Sequence, residues 1–227
     1  IMKREQLIII FVSLVFSLIL FFLLPVSYRK YRLEIIEEAG FKDVFSLSYH
    51  DLNNDGHPEK IRCKAGSPIA SVVVQKAEYE DVRQFNLNGN WVERSEISIL
   101  DFDSDGFKEI LGFTVYRDTI WIHVIEPLQE QGLDLHLPVT DVRYYHEEQD
   151  WVVFTSEQSD MDGDGFDEVC FSINAGFTLQ PRKIFCVDIH RGRVTGQEEL
   201  VGNNLFELVL LDIDRDGVKE ISGRSSA

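Results

Sequence analysis

The sequence is short of positive charge and of the groupings that carry out chemistry. Twenty-two lysines and arginines stand against 39 aspartates and glutamates, a formal net charge of -17 over 227 residues, and no basic stripe runs along the chain. A protein that neutralises nucleic-acid phosphates needs such a stripe, so this balance argues against a nucleic-acid partner. The six histidines, His50, His57, His123, His136, His146 and His190, show no metal-ligand spacing, and neither H-E-x-x-H nor G-x-S-x-G occurs. No catalytic set can be named, and the chain reads as a binding protein rather than an enzyme. Charge of either sign is missing altogether between Glu5 and Arg29. With 44% hydrophobic and 27% charged residues, the chain can still bury a core, and its length suits one domain with an accessory segment.

The acids that are present follow a pattern. Residues 212 to 221 read DIDRDGVKEI, with carboxylates at Asp212, Asp214 and Asp216, then Gly217 and Glu220. Side chains that repel one another at this range usually share a cation, and alternating oxygens before a glycine turn suit a hard ion such as Ca²⁺. A single copy is more often a solvated turn, since Asp and Gly are what turns use. The chain has four copies: DLNNDGHPEKI from Asp51, DFDSDGFKEIL from Asp101, DMDGDGFDEVC from Asp160 and DIDRDGVKEIS from Asp212, all fitting D-x-[DN]-x-D-G-x-x-E. Their first aspartates lie 50, 59 and 52 residues apart, the length of one supersecondary unit. Agreement at five positions in four places points to metal binding.

An EF-hand would need a bidentate Glu at loop position 12 and helices on both sides. Position 12 is Arg62, Gly112, Phe171 and Gly223, whereas the acid that recurs after the glycine is at position 9: Glu59, Glu109, Glu168 and Glu220. The flanks FSLSYHDL, SEISILDF, WVVFTSEQSD and FELVLLDI, and the segments EKIRC, EILGFTVY, EVCFSI and EIS, are rich in β-branched and aromatic residues. Each loop therefore joins two strands as a hairpin. EILGFTVY and TIWIHVIEP form a further hairpin across Arg117 and Asp118, with VRYYHEEQ (142–149) as the outer strand; EVCFSI, RKIFCVDIH and RVTGQEELV repeat the plan, and KIRCKA, SVVVQKAEY and VRQFNL do so less regularly. That makes about four strands per repeat.

Acid loops of this form between two strands, at a period of 50 to 60 residues, resemble the FG-GAP/VCBS repeat, the blade unit of integrin-α-type β-propellers. The resemblance covers 41–227 and implies an all-β fold, a calcium ion in each loop and up to four Ca²⁺ sites. It implies side-chain ligands at positions 1, 3, 5 and 9 and a backbone carbonyl at position 7. These are Asp51, Asn53, Asp55, His57 and Glu59; Asp101, Asp103, Asp105, Phe107 and Glu109; Asp160, Asp162, Asp164, Phe166 and Glu168; and Asp212, Asp214, Asp216, Val218 and Glu220. Asn53 brings a neutral oxygen to the first loop, which is expected to bind most weakly. The ligand positions of the loops hold fifteen of the 39 acids, and four Ca²⁺ would move the net charge from -17 to -9. The last repeat has only EIS and SGRSSA after its loop, so the expectation is an incomplete propeller arc of about four blades, truncated at the C-terminus, with residues 222–227 packed on nothing.

Eighteen residues from Leu7 to Leu24 are apolar except for Ser13 and Ser17, long enough to span a bilayer. A cleaved signal peptide is the alternative, but it would have a shorter apolar region ending in a small-x-small site, whereas Pro25, Val26, Ser27 and Tyr28 lead straight into Arg29 and Lys30. The reading is a transmembrane anchor over 1–28, a juxtamembrane helix over 29–40 stopped by Gly40, and calcium repeats beyond. Arg29, Lys30 and Arg32 against Lys3 and Arg4 lean by one charge toward a cytoplasmic C-terminal side. Loops of this kind, judged by extracellular modules, have Kd values of roughly 10⁻⁴ to 10⁻³ M, which cytosolic calcium cannot fill, so the repeats are placed outside the membrane.

Trp91, Trp121 and Trp151 lie near strands at intervals that do not match the repeat, which suits packing roles. Cys170 and Cys186 lie symmetrically about a turn near Thr178 and can face each other, as a disulfide or as two buried thiols; Cys63 has no evident mate. Two functions remain: a membrane-anchored, calcium-stabilised propeller binding a protein or glycan in adhesion or sensing, or the non-catalytic part of a larger extracellular hydrolase or lyase.

Overall fold

The computed structural model describes residues 12–17, 44–66, 69–76, 82–92, 94–142, 152–155, 158–161, 163–174, 182–200 and 205–225. The chain divides into two compact units, Ile1–Gly40 and Phe41–Ala227. In the first, residues 12–17 are helical and exposed. No helix among the described residues is long and apolar enough to cross a membrane. The rest of the expected anchor over 1–28 and the whole helix expected over 29–40 lie outside the described residues.

The second unit is built from strands in four sheets. β1 (Val44–His50), β2 (Glu59–Lys64), β3 (Ile69–Gln75) and β4 (Val82–Asn88) form the first, antiparallel and in chain order. Three short strands follow, β5 (Asn90–Trp91), β6 (Arg94–Ser95) and β7 (Ser98–Leu100), and then β8 (Glu109–Tyr116), β9 (Thr119–Ile125) and β10 (Asp134–Asp141). The second sheet runs β10-β9-β8-β5, with β7 also on β8. β11 (Val152–Thr155), β12 (Glu168–Asn174), β13 (Arg182–Asp188) and β14 (Arg193–Glu199) make the third, ordered β14-β13-β12-β11-β6, in which β6 lies parallel to β11. β15 (Leu205–Leu211) and β16 (Glu220–Ser225) pair as the fourth.

Because successive side chains in a strand point to opposite faces, the second sheet serves two cores. Ile110 and Ile125 join Leu52, Ile61, Cys63, Val72 and Val74 of the first sheet. Their neighbours Leu111, Phe113, Ile122 and Val124 join Val153, Val169, Phe171 and Phe185 of the third. Phe113 and Phe171 meet edge to face across that second seam, ring centroids 4.8 Å apart, and each such fully buried side chain contributes roughly 2 to 3 kcal/mol. The sheets thus pack against one another in chain order. Trp91 is 6% exposed, stacks on Phe45 at 5.6 Å and donates its indole N–H to the Lys64 carbonyl, a packing role as expected.

The β8–β9 hairpin turns on Arg117 and Asp118 at φ 47° and 62°, the left-handed pair that a two-residue hairpin matched to strand twist requires. Two expectations are corrected. The strand beside β9 in the second sheet is β10, over Asp134–Asp141, where 142–149 was expected; 143–149 lie outside the described residues. Residues 222–225 are not unpacked: Ser222 pairs with Val209, Arg224 with Phe206 and Ser225 with Leu205. Hydrogen bonding to β15 gives this segment one strand neighbour in a two-stranded sheet, while 226–227 lie outside the described residues.

Candidate metal centre

Each acid loop connects the strand before it to the strand after it, and the local folding is the same wherever it is described. The residue at position 4 has positive φ (Asn54 57°, Ser104 61°, Gly163 75°, Arg215 66°), as does the glycine at position 6 (Gly56 86°, Gly106 94°, Gly165 93°, Gly217 92°). A left-handed residue reverses the chain tightly, and glycine adopts it without a Cβ penalty.

Hydrogen bonds fix the carboxylates. The position 6 N–H donates to Oδ2 of the first aspartate in all four loops: Gly56 to Asp51 at 2.8 Å, Gly106 to Asp101 at 3.1 Å, Gly165 to Asp160 at 3.0 Å and Gly217 to Asp212 at 3.1 Å. The N–H groups of His57, Phe107, Phe166 and Val218 donate to Oδ1 of Asp55, Asp105, Asp164 and Asp216 at 2.8 to 2.9 Å. The position 2 N–H donates to Oε2 of the position 9 glutamate: Leu52 to Glu59, Phe102 to Glu109, Met161 to Glu168 and Ile213 to Glu220, at 2.6 to 2.9 Å. One oxygen of each glutamate thus ties the loop shut.

In the second loop, one oxygen each from Asp101, Asp103 and Glu109 lie within 4.8 Å of one another, and in the fourth so do Asp212, Asp214 and Glu220. Asp162 lies outside the described residues, so the third loop is seen without its position 3 side chain. The acids of the first loop do not gather in this way. There Asn53 donates its amide to Asp55 Oδ2 at 2.9 Å, and that bond, ahead of the His57 N–H, holds the Asp55 carboxyl below its usual range.

The second loop is the most electrostatically unbalanced. Glu109 is fully buried and its Oε1 has no hydrogen-bond partner. Burial pushes its carboxyl up to about 8, against the Phe102 N–H, with Asp103 and Glu126 adding repulsion. Asp103 is raised by burial and then by Asp105. A buried oxygen without a donor among like charges is what a hard cation relieves, so the residues present fit Ca²⁺.

Neighbouring loops are joined. Lys108 donates its N–H to the Leu52 carbonyl at 2.8 Å and its ammonium to the Asp51 carbonyl at 2.9 Å, and Asn54 returns an amide bond to the Gly106 carbonyl at 2.8 Å. Gln158 reaches the Asp101 carbonyl at 3.3 Å, and Lys219 reaches the Ser159 hydroxyl.

One acid was not expected from the loop motif. Glu126 follows β9, is 4% exposed, and has an oxygen within 4.8 Å of those of Asp103 and Asp105. Ile110 pairs with Ile125, so Glu126 stands one step beyond, opposite Glu109. Counting eight residues outward on each side of the Arg117–Asp118 turn would have found it.

Elsewhere, Cys170 and Cys186 are directly opposed on β12 and β13 and form a disulfide, while Cys63 is a buried free thiol. No protein-family model matches the sequence, and no curated protein matches it.

Proposed function

We propose that residues 41–227 are calcium-binding repeats forming a β-propeller arc of about four FG-GAP-like blades. In this reading they are anchored through the N-terminal segment on the outer side of a membrane, where they bind a protein or glycan in adhesion or sensing. The observation that carries the calcium reading is Glu109 Oε1, buried and unpartnered beside Asp101 and Asp103. Asp101, Asp103, Asp105 and Glu109 would hold the ion of the second loop, and their counterparts those of the others. The ion supplies positive charge that lets buried carboxylates stay ionised.

Packing of the sheets in chain order, with the first three acid loops leading into largely buried strands, supports the blade reading. The Cys170–Cys186 disulfide supports an oxidising, extracytoplasmic setting.

Melting the full chain with Ca²⁺, with Mg²⁺ and with chelator tests the calcium reading. At calcium a few times Kd each occupied site adds roughly 1 kcal/mol by linkage. Mg²⁺ substitutes poorly, because it demands tighter octahedral geometry and keeps its waters. Equal melting temperatures in calcium and chelator would overturn it. For the ligand, a glycan array and a binding screen against extracellular proteins should give signals that chelator abolishes.

A further inference from the structure

We propose that a second divalent cation binds beside the second loop, between Asp103, Asp105 and Glu126, with Asp103 and Asp105 shared between it and the loop's own ion. The inference rests on reading the second loop as a calcium site and adds a centre that the nine-residue motif does not contain.

The carboxylates form two overlapping groups rather than one. Asp101, Asp103 and Glu109 converge within 4.8 Å, as do Asp103, Asp105 and Glu126, and only Asp103 belongs to both. Among the described residues none of these five acids has an ion pair with a lysine or arginine. Glu126 is 4% exposed and its Oε1, buried, has no hydrogen-bond partner. Its other oxygen accepts the Leu133 N–H at 3.0 Å, while the Glu126 N–H donates to the Leu133 carbonyl at 2.8 Å, so the 126–133 turn is closed around the carboxylate. Gly132 makes room for it, since a Cβ there would stand 2.3 Å from Glu126 Oε2. Arg83 of β4 holds the same turn through the carbonyls of Pro127 and Gln129, at 3.1 and 3.2 Å, and not through the carboxylate. Gln129 donates to Asp105 Oδ2 at 2.5 Å. Glu109 and Glu126, each with a buried carboxylate oxygen that has no hydrogen-bond partner, therefore belong to two separate acid groups.

The third repeat shows what such an arrangement requires. Glu168 pairs with Asp188 across β12 and β13, which makes Asp188 the counterpart of Glu126. Asp188 is 1% exposed, and Arg191 joins it to the position 5 acid, with guanidinium contacts of 3.0 Å to Asp188 and 2.6 Å to Asp164. In the first repeat, where Lys60 pairs with Gln75, the next residue opposite Glu59 is Lys76. The protein thus supplies its own cation at this place in the first and third repeats and a third acid in the second. Burial raises the Glu126 carboxyl against the Leu133 N–H and the Gln129 amide, with the charges of Asp105 and Asp103 adding to the rise. Three carboxylates with no internal counter-charge suit a hard divalent ion completed by water.

Calcium bound per full chain, measured by equilibrium dialysis and elemental analysis, tests this. Glu126→Gln keeps the acceptor for Leu133 and should bind one ion fewer than the wild type. Glu109→Gln should also lose one, and the double variant two. Gly132→Ala, which displaces the carboxylate without changing charge, should match Glu126→Gln and decides the matter if the latter fails to fold. Full stoichiometry in Glu126→Gln, even at weaker affinity, would overturn the proposal, as would a double variant losing only one ion. Glu220→Gln in the fourth loop separates the two readings. If it loses one ion while Glu126→Gln loses none, the second cation alone is wrong; if neither loses any, the loop reading falls as well.

Discussion

Lys108 of the second loop sets its ammonium on the main-chain carbonyl of Asp51, the first ligand position of the first loop, at 2.9 Å. A charged donor on a half-buried carbonyl is worth roughly 1.5 to 3 kcal/mol. Lys108→Met keeps the methylene stem and the backbone bond to Leu52 but removes this contact. It should lower the unfolding free energy by about 1 to 2 kcal/mol in urea titration, with no change in the number of calcium ions bound.

Glu109→Gln should act in opposite directions with and without metal. Without calcium, Glu109 is a buried carboxylate raised to about 8, so charging it near neutral pH opposes folding, and a neutral amide relieves that cost. With calcium the same change removes a ligand. The variant should melt above the wild type in chelator and below it in saturating calcium. A variant that melts lower in both would mean that the glutamate serves only to close the loop.

His123 gives a pH dependence of definite sign. Thr114 donates its hydroxyl to the Asn88 carbonyl at 2.8 Å, so its oxygen accepts from His123 Nε2 at 2.7 Å, and His123 Nδ1 accepts from His136 Nδ1 at 2.7 Å. This neutral tautomer follows from the hydrogen-bond network. Burial, with the His136 charge adding to it, pushes the imidazole down to about 3. The unfolded chain takes up the proton near pH 6.5, so the contribution is present above about 6.5 and is lost as pH falls toward 3. In saturating calcium the wild-type urea midpoint should fall between pH about 7.5 and about 5.5, and His123→Gln should flatten that slope.

Reducing the Cys170–Cys186 bond, which spans 16 residues, should cost about 3 kcal/mol. Urea unfolding with and without reductant measures it. Cys63, 1% exposed and with its thiol pushed up to about 12 by burial, should resist alkylation in the native protein under both conditions.

The acid loops were legible because their constraints are local: a left-handed residue, a glycine and alternating acids all fall within nine positions. The β8–β9 and β12–β13 hairpins were legible for a similar reason, because apolar strands flank a short turn. β10 was missed because the aromatic segment 142–149 looked more strand-like than DLHLPVTD. Yet Leu135, Leu137 and Val139 alternate in that segment and pack on the core, and Pro138 is acceptable on a strand at the sheet edge. Glu126 is a single residue 17 positions from its partner Glu109, and only strand register joins them. The disulfide is not legible in the sequence, because facing cysteines and bonded cysteines look the same there.

The cross-links that run from Asn54 to Gly106 and from Lys108 to Asp51 leave the two ends of the sheets under different rules. At the acid-loop end, neighbouring turns bond to one another, and an inserted residue would break contacts in two sheets at once. At the other end, the turns between β2 and β3, β8 and β9, and β12 and β13 span four, two and seven residues, with no common length to keep. None of these connections carries a residue of the acid loops, so their lengths differ from sheet to sheet without touching the acid-loop end.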